Sequence, residues 1–525
     1  MPKVWKYFEV ALENLEQQAS VLFGKKEYEK ALEIYTLLSK GAPKNEDYLI
    51  NCGNCYDALG NKETALRFYD QALKINKYSE SALLNISTIN YEIGNYDISV
   101  DMAKKVLKIN PKNIAALQNL GNVEYCNAHY AQALQYYQDM FKYNPRSYIA
   151  MINIANTYFT MEKYVLALDF AKKALERHPS SVVGNTIAGN SLYELGKYQK
   201  SIDYFIKAAE LDETNFELLN SLSDAYRALN DWENCLLFAW RYIKRQNGVS
   251  SSASLNFGYL LYECYAENSM ELAQKYAAKW LKKFPEDKIV LHMGNAIADG
   301  KALDSSAPEF IKVTFDAFAE SFDDILHGLD YQAPLLIYNK LSSLLKSSIF
   351  KKYHILDLGC GTGLCGEYLK KYSSYKGLIG VDLSEKMLIQ AEKKDIYSKL
   401  CCDDICHYLE TSSYLFQVIT ASDVLTYFGD LSKVFVRVSK SLTPNGFFVF
   451  TVSENNYNES DFFLAPSGRF VHSVKYVERA LKSSGLKLVS QEQHILRNEA
   501  EKAVYGYVIV AQKPNLMNKS TSSQE

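Results

Sequence analysis

The sequence contains 525 residues and carries a formal net charge of -3, with 58 basic and 61 acidic side chains. This length is enough for two or more domains, and the nearly balanced charge excludes a global electrostatic attraction to nucleic acid. The ten cysteines are scattered, which indicates a reducing compartment. No run of about eighteen apolar residues occurs, and the first residues lack the pattern of a secretion signal. We therefore expect a cytoplasmic protein without a membrane span.

The first 250 residues repeat with a period of 34 and without insertions. Seven repeats cover about residues 12–249, an eighth between Ser251 and Pro285 is degenerate, and residues 287–302 have the pattern of a capping helix. Small residues mark one position of every regular repeat: Ala19, Gly53, Ser87, Gly121, Ala155, Gly189 and Ser223. The pattern resembles the tetratricopeptide repeat (TPR), in which small residues let two antiparallel helices approach each other. The resemblance implies an all-α TPR solenoid over residues 1–302.

Asparagines recur at two further positions of the first helix of each repeat. The two positions are three residues apart and share a helix face: Asn51, Asn85, Asn119 and Asn153 occupy one, and Asn54, Asn122, Asn156 and Asn190 the other. Resemblance to TPR proteins that thread a peptide through their groove implies that these amides bind the peptide backbone, since an amide both donates and accepts. The alternative is that the asparagines bond within and between repeats.

Cys52 and Cys55 have the spacing of a metal-binding pair, but both lie on one helix and no second pair of ligands has zinc spacing. We expect them to pack as small apolar residues, and we predict no metal site.

A short polar segment that contains a proline, residues 303–308, predicts a linker, followed by a second domain over residues 309–513 and a polar, disordered tail over 514–525. The segment from Phe315 to Asp324 resembles the region that precedes the core of a group of bacterial-type predicted methyltransferases with TPR repeats. That resemblance implies a lid over the cofactor. The alternative is a helix that only packs on the sheet.

An apolar strand runs into three alternate glycines, Gly359, Gly361 and Gly363, that open a helix. Glycines there allow a close approach of the backbone to a ligand, and helix amides suit a carboxylate or a phosphate. The motif also satisfies the dinucleotide pattern GxGxxG, so NAD is an alternative ligand. Asp357 before the loop would repel a pyrophosphate and favours S-adenosylmethionine (SAM).

Two further strands end in acids. Asp382 can bind both ribose hydroxyls of a nucleoside, Asp404 can accept from the adenine amino group, and Ile405 can cover the adenine ring. These motifs resemble those of class I SAM-dependent methyltransferases, which implies a Rossmann-like α/β domain with a seven-stranded mixed sheet. The residues so implied for SAM are Asp357, Gly359, Gly361, Gly363, Asp382, Leu383, Met387, Asp404, Ile405 and Ser422.

Methyl transfer needs a positioned nucleophile, and a base only if that nucleophile carries a proton. The methyl group is expected at the end of the fourth strand, where Asp423 can orient either the acceptor or the amine of SAM. Residues 454–472 form an insertion that we predict to recognise the substrate. Residues 468–473 and the motif Arg497-x-Glu499 resemble segments of the bacterial-type predicted methyltransferases with TPR repeats, which implies that Arg469 anchors the substrate. By resemblance to the same group of methyltransferases, His472 is the expected general base, whereas His407 is expected to be structural.

The sequence thus predicts a SAM-dependent methyltransferase whose TPR array binds a protein or peptide. Two alternatives stay open: a small-molecule O- or N-methyltransferase that uses its repeats only for docking, and a scaffold that has lost catalysis.

Overall fold

The computed structural model describes residues 2–245, 250–298, 305–345, 352–499 and 502–515. Within them the chain forms two compact units, which divide between Asp231 and Trp232. The predicted linker at residues 303–308 therefore falls inside the second unit, and residues 303 and 304 lie outside the described residues, as does most of the predicted tail. No helix of the described chain is long and apolar enough to cross a membrane.

The described part of the first unit is helical. Its helices are α1 (Pro2–Gly24), α2 (Tyr28–Gly41), α3 (Glu46–Ala58), α4 (Lys62–Ile75), α5 (Glu80–Glu92), α6 (Tyr96–Ile109), α7 (Ile114–Cys126), α8 (Tyr130–Tyr143), α9 (Tyr148–Thr160), α10 (Tyr164–Arg177), α11 (Val182–Glu194), α12 (Tyr198–Leu211) and α13 (Glu217–Ala228). The first helices of the repeats begin at capping residues with the same period of 34. Asn45, Asn113, Ser147 and Ser181 each accept a hydrogen bond from a backbone N–H of the helix that follows.

The small-residue positions lie where the two helices of a repeat touch. A Cβ atom on Gly53 would lie 2.4 Å from Cε1 of Tyr69, and a Cβ on Gly121 would meet Tyr137 at the same distance. Both tyrosine rings are buried. Each ring therefore fills the space that the missing side chain leaves, which confirms the predicted repeat packing. Cys52 and Cys55 are buried in the apolar cluster around Tyr35.

The second unit begins with four helices, α14 (Trp232–Arg245), α15 (Ser251–Ala266), α16 (Met270–Lys283) and α17 (Lys288–Ala298), and continues with α18 (Pro308–Phe318), α19 (Phe322–Gly328) and α20 (Ala333–Leu344). Its remaining elements are β1 (Tyr353–Leu358), α21 (Leu364–Leu369), β2 (Ser373–Asp382), α22 (Glu385–Lys393), β3 (Lys399–Cys402), α23 (Ile405–Thr411), β4 (Phe416–Ala421), α24 (Ser432–Ser441), β5 (Leu442–Ser453), β6 (Phe462–Leu464), β7 (Phe470–His472), α25 (Val474–Ser483), β8 (Lys487–Glu499) and β9 (Lys502–Gln512).

Seven of these strands form one sheet in the order β3-β2-β1-β4-β5-β9-β8. Strands β1 to β5 are parallel, and β9 is antiparallel to both β5 and β8. Leu356 packs into one apolar cluster with Phe435, whereas its neighbour Ile355 packs into another with Ile337. The sheet is therefore covered on both faces, and the predicted α/β domain with a seven-stranded mixed sheet is confirmed.

Strands β6 and β7 pair with each other as a separate hairpin within the predicted insertion. The hairpin lies against α17, because Nε2 of His292 is 2.7 Å from the carbonyl oxygen of Gly468. Ala296 of the same helix packs with Leu464 and Phe470. Helix α17 therefore supports the turn that carries Arg469.

Candidate active site

A cavity opens at the carboxyl ends of β1, β2 and β4, with a volume of about 1160 Å³ that includes space open to solvent. Most of the predicted cofactor residues meet there. Gly359, Gly361, Asp382, Leu383, Asp404, Ile405 and Ser422 all line the cavity. Asp423 and Arg469, predicted for the acceptor, line it as well.

The glycine loop has a backbone that side chains rarely allow. Gly359 and Gly361 have φ of 61° and 53°. A Cβ on Gly359 would lie 2.3 Å from Cγ2 of Val424, so any other residue would collide as well as be strained. The N–H of Gly361 donates to the Asp382 carboxylate at 2.9 Å, which fixes the loop to the end of β2.

Asp357 lies beneath this loop and does not line the cavity. It accepts hydrogen bonds from the Tyr397 hydroxyl at 2.7 Å and from Thr420 Oγ1 at 2.8 Å. Burial raises the pKa of this carboxyl to about 6, although both hydrogen bonds oppose the shift. Asp357 therefore supports the loop from below.

Asp382 and Asp404, which follow β2 and β3 at the cavity, each accept hydrogen bonds from backbone N–H groups at the beginning of the next helix. Oδ1 of Asp382 accepts from the N–H of Ser384 at 2.9 Å, and burial raises the pKa of this carboxyl. Oδ1 of Asp404 accepts from the N–H groups of Cys406 and His407 at 2.8 and 3.0 Å, which caps α23. These hydrogen bonds fix both acids at the edge of the cavity.

Besides Asp357, two more of the predicted cofactor residues are not part of the described lining. Met387 is fully buried behind it, and Gly363 lies at the N-terminus of α21 with φ of 92°. Both shape the loops that the lining residues belong to, so their predicted contact with a cofactor stays a prediction.

Helices α18 and α19 also border the cavity, and α19 lies beside the glycine loop. Phe315 and Phe322 line it and touch each other edge to face, with ring centroids 5.9 Å apart. Asp316 accepts from Ser384 Oγ at 2.6 Å. Asp323 accepts from Thr362 of the glycine loop and pairs with Lys394 at 2.9 Å. These bonds place the segment that was predicted as a lid directly over the cavity.

Four charged side chains form a chain of ion pairs at one end of the cavity. Nη1 of Arg497 lies 2.9 Å from both carboxylate oxygens of Asp423, and its Nε lies 2.6 Å from Glu499. Glu499 also accepts from Nη1 of Arg469. Burial alone would raise the pKa of Glu499, but the two guanidinium groups outweigh it and hold the pKa at about 2. Asp423 itself has a φ of 57° and donates its N–H to Thr451.

The structure argues against His472 as a general base. Its ring is fully buried and does not line the cavity. Nε2 lies 2.9 and 3.1 Å from the carbonyl oxygens of Phe428 and Gly429, so this nitrogen carries a proton and donates it. Burial lowers the pKa of the ring to about 4, despite these two bonds. A ring that is sealed by backbone cannot reach a substrate, and its geometry fits a structural role. His407, in contrast, is exposed and pairs with Asp403 at 2.8 Å.

Several cavity residues were not anticipated from the sequence. Tyr331 and Tyr427 line the cavity, and the Tyr331 hydroxyl lies 3.2 Å from Ser422 Oγ. Arg497 belongs to a motif noted in the sequence and does not line the cavity, but its contact with Asp423, 74 positions away, was not predicted. Tyr427 follows Asp423 closely enough to have been suspected from its position after the fourth strand. Nothing local marks Tyr331, because its place depends on how the helices pack on the sheet.

The asparagines of the first unit divide into two groups. Six take part in bonds within or between repeats: Asn51, Asn54, Asn85, Asn119, Asn122 and Asn156. Asn54, for example, accepts from Tyr69 of its own repeat and from Asn85 of the next, both at 2.8 Å. For Asn153 and Asn190 the described chain shows no side-chain hydrogen bond, and both are partly exposed. The alternative of a role in holding the repeats in register therefore has direct support at six positions.

Comparisons with known proteins match both parts of the chain. A family model described as a methyltransferase domain matches residues 356–450, and tetratricopeptide repeat models match residues 46–78, 119–182 and 185–215. A ubiquinone biosynthesis O-methyltransferase of Coxiella burnetii (strain Dugway 5J108-111) is 28% identical over 205 residues, which cover 35% of this chain and 86% of that protein. A malonyl-[acyl-carrier protein] O-methyltransferase of Legionella pneumophila is 24% identical over 160 residues, covering 29% and 56%.

Among solved structures, the repeats are similar to YrrB, described as a TPR protein with an unusual peptide-binding site. The identity is 20% and the TM-score 0.31, over 36% of this chain and 96% of YrrB. A tetratricopeptide repeat protein from Parabacteroides merdae is 17% identical with a TM-score of 0.37, over 48% of this chain and 98% of that protein.

Proposed function

We propose that this chain, which combines tetratricopeptide repeats with a methyltransferase domain, transfers a methyl group from SAM to an acceptor held beside Asp423 and Arg469. The observation that carries the proposal is the meeting of the glycine loop, Asp382 and Asp404 around one cavity at the carboxyl edge of the sheet. SAM supplies a methyl group on a positively charged sulfur, ready for in-line displacement. The protein has to bind, orient and desolvate the reactants.

The chemistry of the cavity suits SAM better than a dinucleotide. Three carboxylates line it, on Asp382, Asp404 and Asp423, and Arg469 is the one Lys or Arg among the described lining residues. A pyrophosphate at the glycine loop would therefore lie beside the Asp382 carboxylate, and the loop itself carries no Lys or Arg, whereas a sulfonium is a cation. Asp382 would hold the ribose hydroxyls, Asp404 and Ile405 the adenine, and the loop amides the carboxylate of SAM.

Helices α18 and α19 support this function by closing the site. Phe315 and Phe322 present apolar surface to the cavity, and the bonds of Asp316 and Asp323 tie both helices to the glycine loop and the end of β2. Both helices thereby shield one side of the cavity from water, which strengthens the electrostatic interactions there.

Calorimetric titration with SAM, S-adenosylhomocysteine and NAD tests the cofactor. Wild-type protein is expected to bind the first two and not NAD, and Asp382→Ala is expected to lose the binding. Asp403→Ala is the matched control, because Asp403 pairs with the exposed His407 and does not line the cavity. Binding of NAD without SAM would point to the dinucleotide alternative. Absence of SAM binding would rule out both enzyme hypotheses and leave the scaffold.

We further propose that the TPR array binds a protein or peptide, as TPR repeats generally do. In the first unit, Asn153 and Asn190 are the asparagines of the predicted face that show no internal bond among the described residues, so their amides are free for a ligand. If that ligand is the methyl acceptor, the enzyme methylates a protein or peptide. If it is a separate docking partner, the enzyme methylates a small molecule. Transfer of tritiated methyl groups from SAM into fractionated host lysate shows whether the label enters protein or small molecules.

The array is tested with a double variant, Asn153→Ala with Asn190→Ala. If the groove presents the acceptor, labelling of protein falls while SAM binding is unchanged. The control carries Gln71→Ala and Gln135→Ala, which remove exposed amides from the second helices of two repeats. Equal labelling by both double variants would show that the acceptor does not arrive along this face.

A further inference from the structure

Arg469 lies at the end of the cavity where we place the methyl acceptor, and its guanidinium group has more N–H donors than its ion pair uses. In the chain of ion pairs, Arg497 lies between two acids and Glu499 between two arginines. Arg469 stands at the end, pairs with Glu499 through Nη1 and also interacts with the Tyr427 hydroxyl. Its side chain keeps 29% of its surface exposed, and it lines the cavity. The remaining N–H groups of a planar guanidinium suit a carboxylate, which can accept two of them side by side.

The guanidinium is also held in place. Glu499 accepts from both arginines through the same oxygen, and Arg497, with 2% of its side chain exposed, anchors Glu499 from behind. On the other side, the hairpin turn that carries Arg469 rests on α17 through His292. Little side-chain freedom has to be lost when Arg469 binds an anion, which favours tight and oriented binding.

The described cavity lining, in contrast, offers no free base near the acceptor. Both oxygens of Asp423 are bound by Arg497 at 2.9 Å. Burial raises the pKa of every thiol and phenol in the lining, namely Cys360, Cys365, Tyr331 and Tyr427. His472 lies outside the lining. A phenol or an ammonium group, with a pKa of about 10, would need such a base to become a nucleophile at neutral pH, whereas a carboxylic acid with a pKa of about 4 is already ionised.

We infer that the methyl acceptor is a carboxylate, bound through Arg469 and converted to a methyl ester. The inference rests on the proposed function and names the substrate class of the same site. One carboxylate oxygen attacks the methyl carbon, a C–O bond forms, and the C–S bond breaks with its electron pair going to sulfur. The sulfonium and the carboxylate both become neutral, as a thioether and an ester, and no proton is transferred. An ionised carboxylate as acceptor thus explains both why the described lining has no free base and why Arg469 presents N–H donors to the cavity.

The stability of the transferred methyl group to alkali tests this inference without knowledge of the acceptor. Full-length protein is incubated with tritiated SAM and host lysate, and the labelled fraction is treated with mild alkali. A methyl ester releases volatile tritiated methanol, whereas methyl ethers and methylamines keep their label. We expect nearly all of the label that depends on the enzyme to be released. Label that resists alkali would overturn the carboxylate and leave methyl transfer intact. No label above the Asp382→Ala background would overturn the proposed function itself.

Substitution of Arg469 provides the second measurement. Arg469→Gln is expected to lower the initial rate of labelling at least about 30-fold, since the charge partner of the acceptor is lost, and Arg469→Lys is expected to recover part of the loss. SAM affinity, measured by calorimetry, reports that the fold is intact. Arg479→Gln is the control, because Arg479 makes an exposed pair with Asp461 away from the cavity. Unchanged labelling by Arg469→Gln would overturn the role of Arg469, as would an equal loss in Arg479→Gln.

Discussion

The buried imidazole of His472 is expected to be neutral and structural, and His472→Gln tests both properties. Glutamine can donate to the same carbonyl oxygens but does not titrate. Burial lowers the pKa of the folded ring to about 4 from 6.5. Between these values the unfolded chain binds more protons, so stability falls as the pH falls. The shift corresponds to about 2 kcal/mol of unfolding free energy lost by the wild type between about pH 7.5 and pH 5.

The variant is expected to lack this loss, so the difference in unfolding free energy between the two proteins should change by about 2 kcal/mol over that range. Groups common to both proteins, such as Asp357, whose raised pKa acts in the opposite direction, cancel in this difference. Urea unfolding followed by tryptophan fluorescence is suitable, because Trp232, Trp240 and Trp280 lie in the second unit. His354→Gln, at an exposed position of β1, is the control.

Catalysis provides the decisive comparison. If His472 is structural, methyl transfer by His472→Gln should stay within about threefold of the wild type at neutral pH, since loss of a general base costs about 10²- to 10⁴-fold. A hundredfold loss at unchanged SAM affinity would refute the structural role and restore His472 as the base. An equal pH dependence of stability in both proteins would refute the buried neutral ring.

Four other substitutions test the glycine loop, the ion pairs and the repeat array. Gly359→Ala should abolish SAM binding in calorimetry, because a Cβ would meet Val424 at 2.3 Å on a backbone with φ of 61°. Glu499→Gln should lose about 3 kcal/mol of stability at pH 7 in urea unfolding; this contribution, from a pKa of about 2, disappears only between about pH 4.5 and pH 2. Asn119→Ala should destabilise the array by about 1–2 kcal/mol, and Asn153→Ala by less than about 0.5, as measured by circular dichroism.

Local patterns in the sequence were sufficient to predict the features that depend on residues close together in the chain. Gly53 and Gly121 marked the helix contact because only a missing side chain leaves room for a tyrosine ring. The glycine loop and the acids after two strands predicted a ligand edge, because the carboxyl ends of parallel strands meet on one side of a sheet. The architecture and most of the predicted SAM residues therefore come together as expected.

The tertiary structure decided the features that depend on distant residues. His472 had the sequence context of a base, but the carbonyl groups of Phe428 and Gly429, more than forty positions away, enclose its ring. The asparagine pattern was compatible with both a ligand and internal bonds, and only the folded array shows that six of the eight amides are engaged within or between repeats.

The same division applies to the acceptor site. The sequence singled out Asp423 and Arg469 for the acceptor, but nothing in their spacing indicates that they share charges with Glu499. Folding brings them around Arg497, where burial makes isolated charges costly and therefore enforces pairing. The sequence thus determined that a methyltransferase cavity exists, because its backbone motif is local. Which groups in that cavity are free to act was decided by side chains that meet only in the folded molecule.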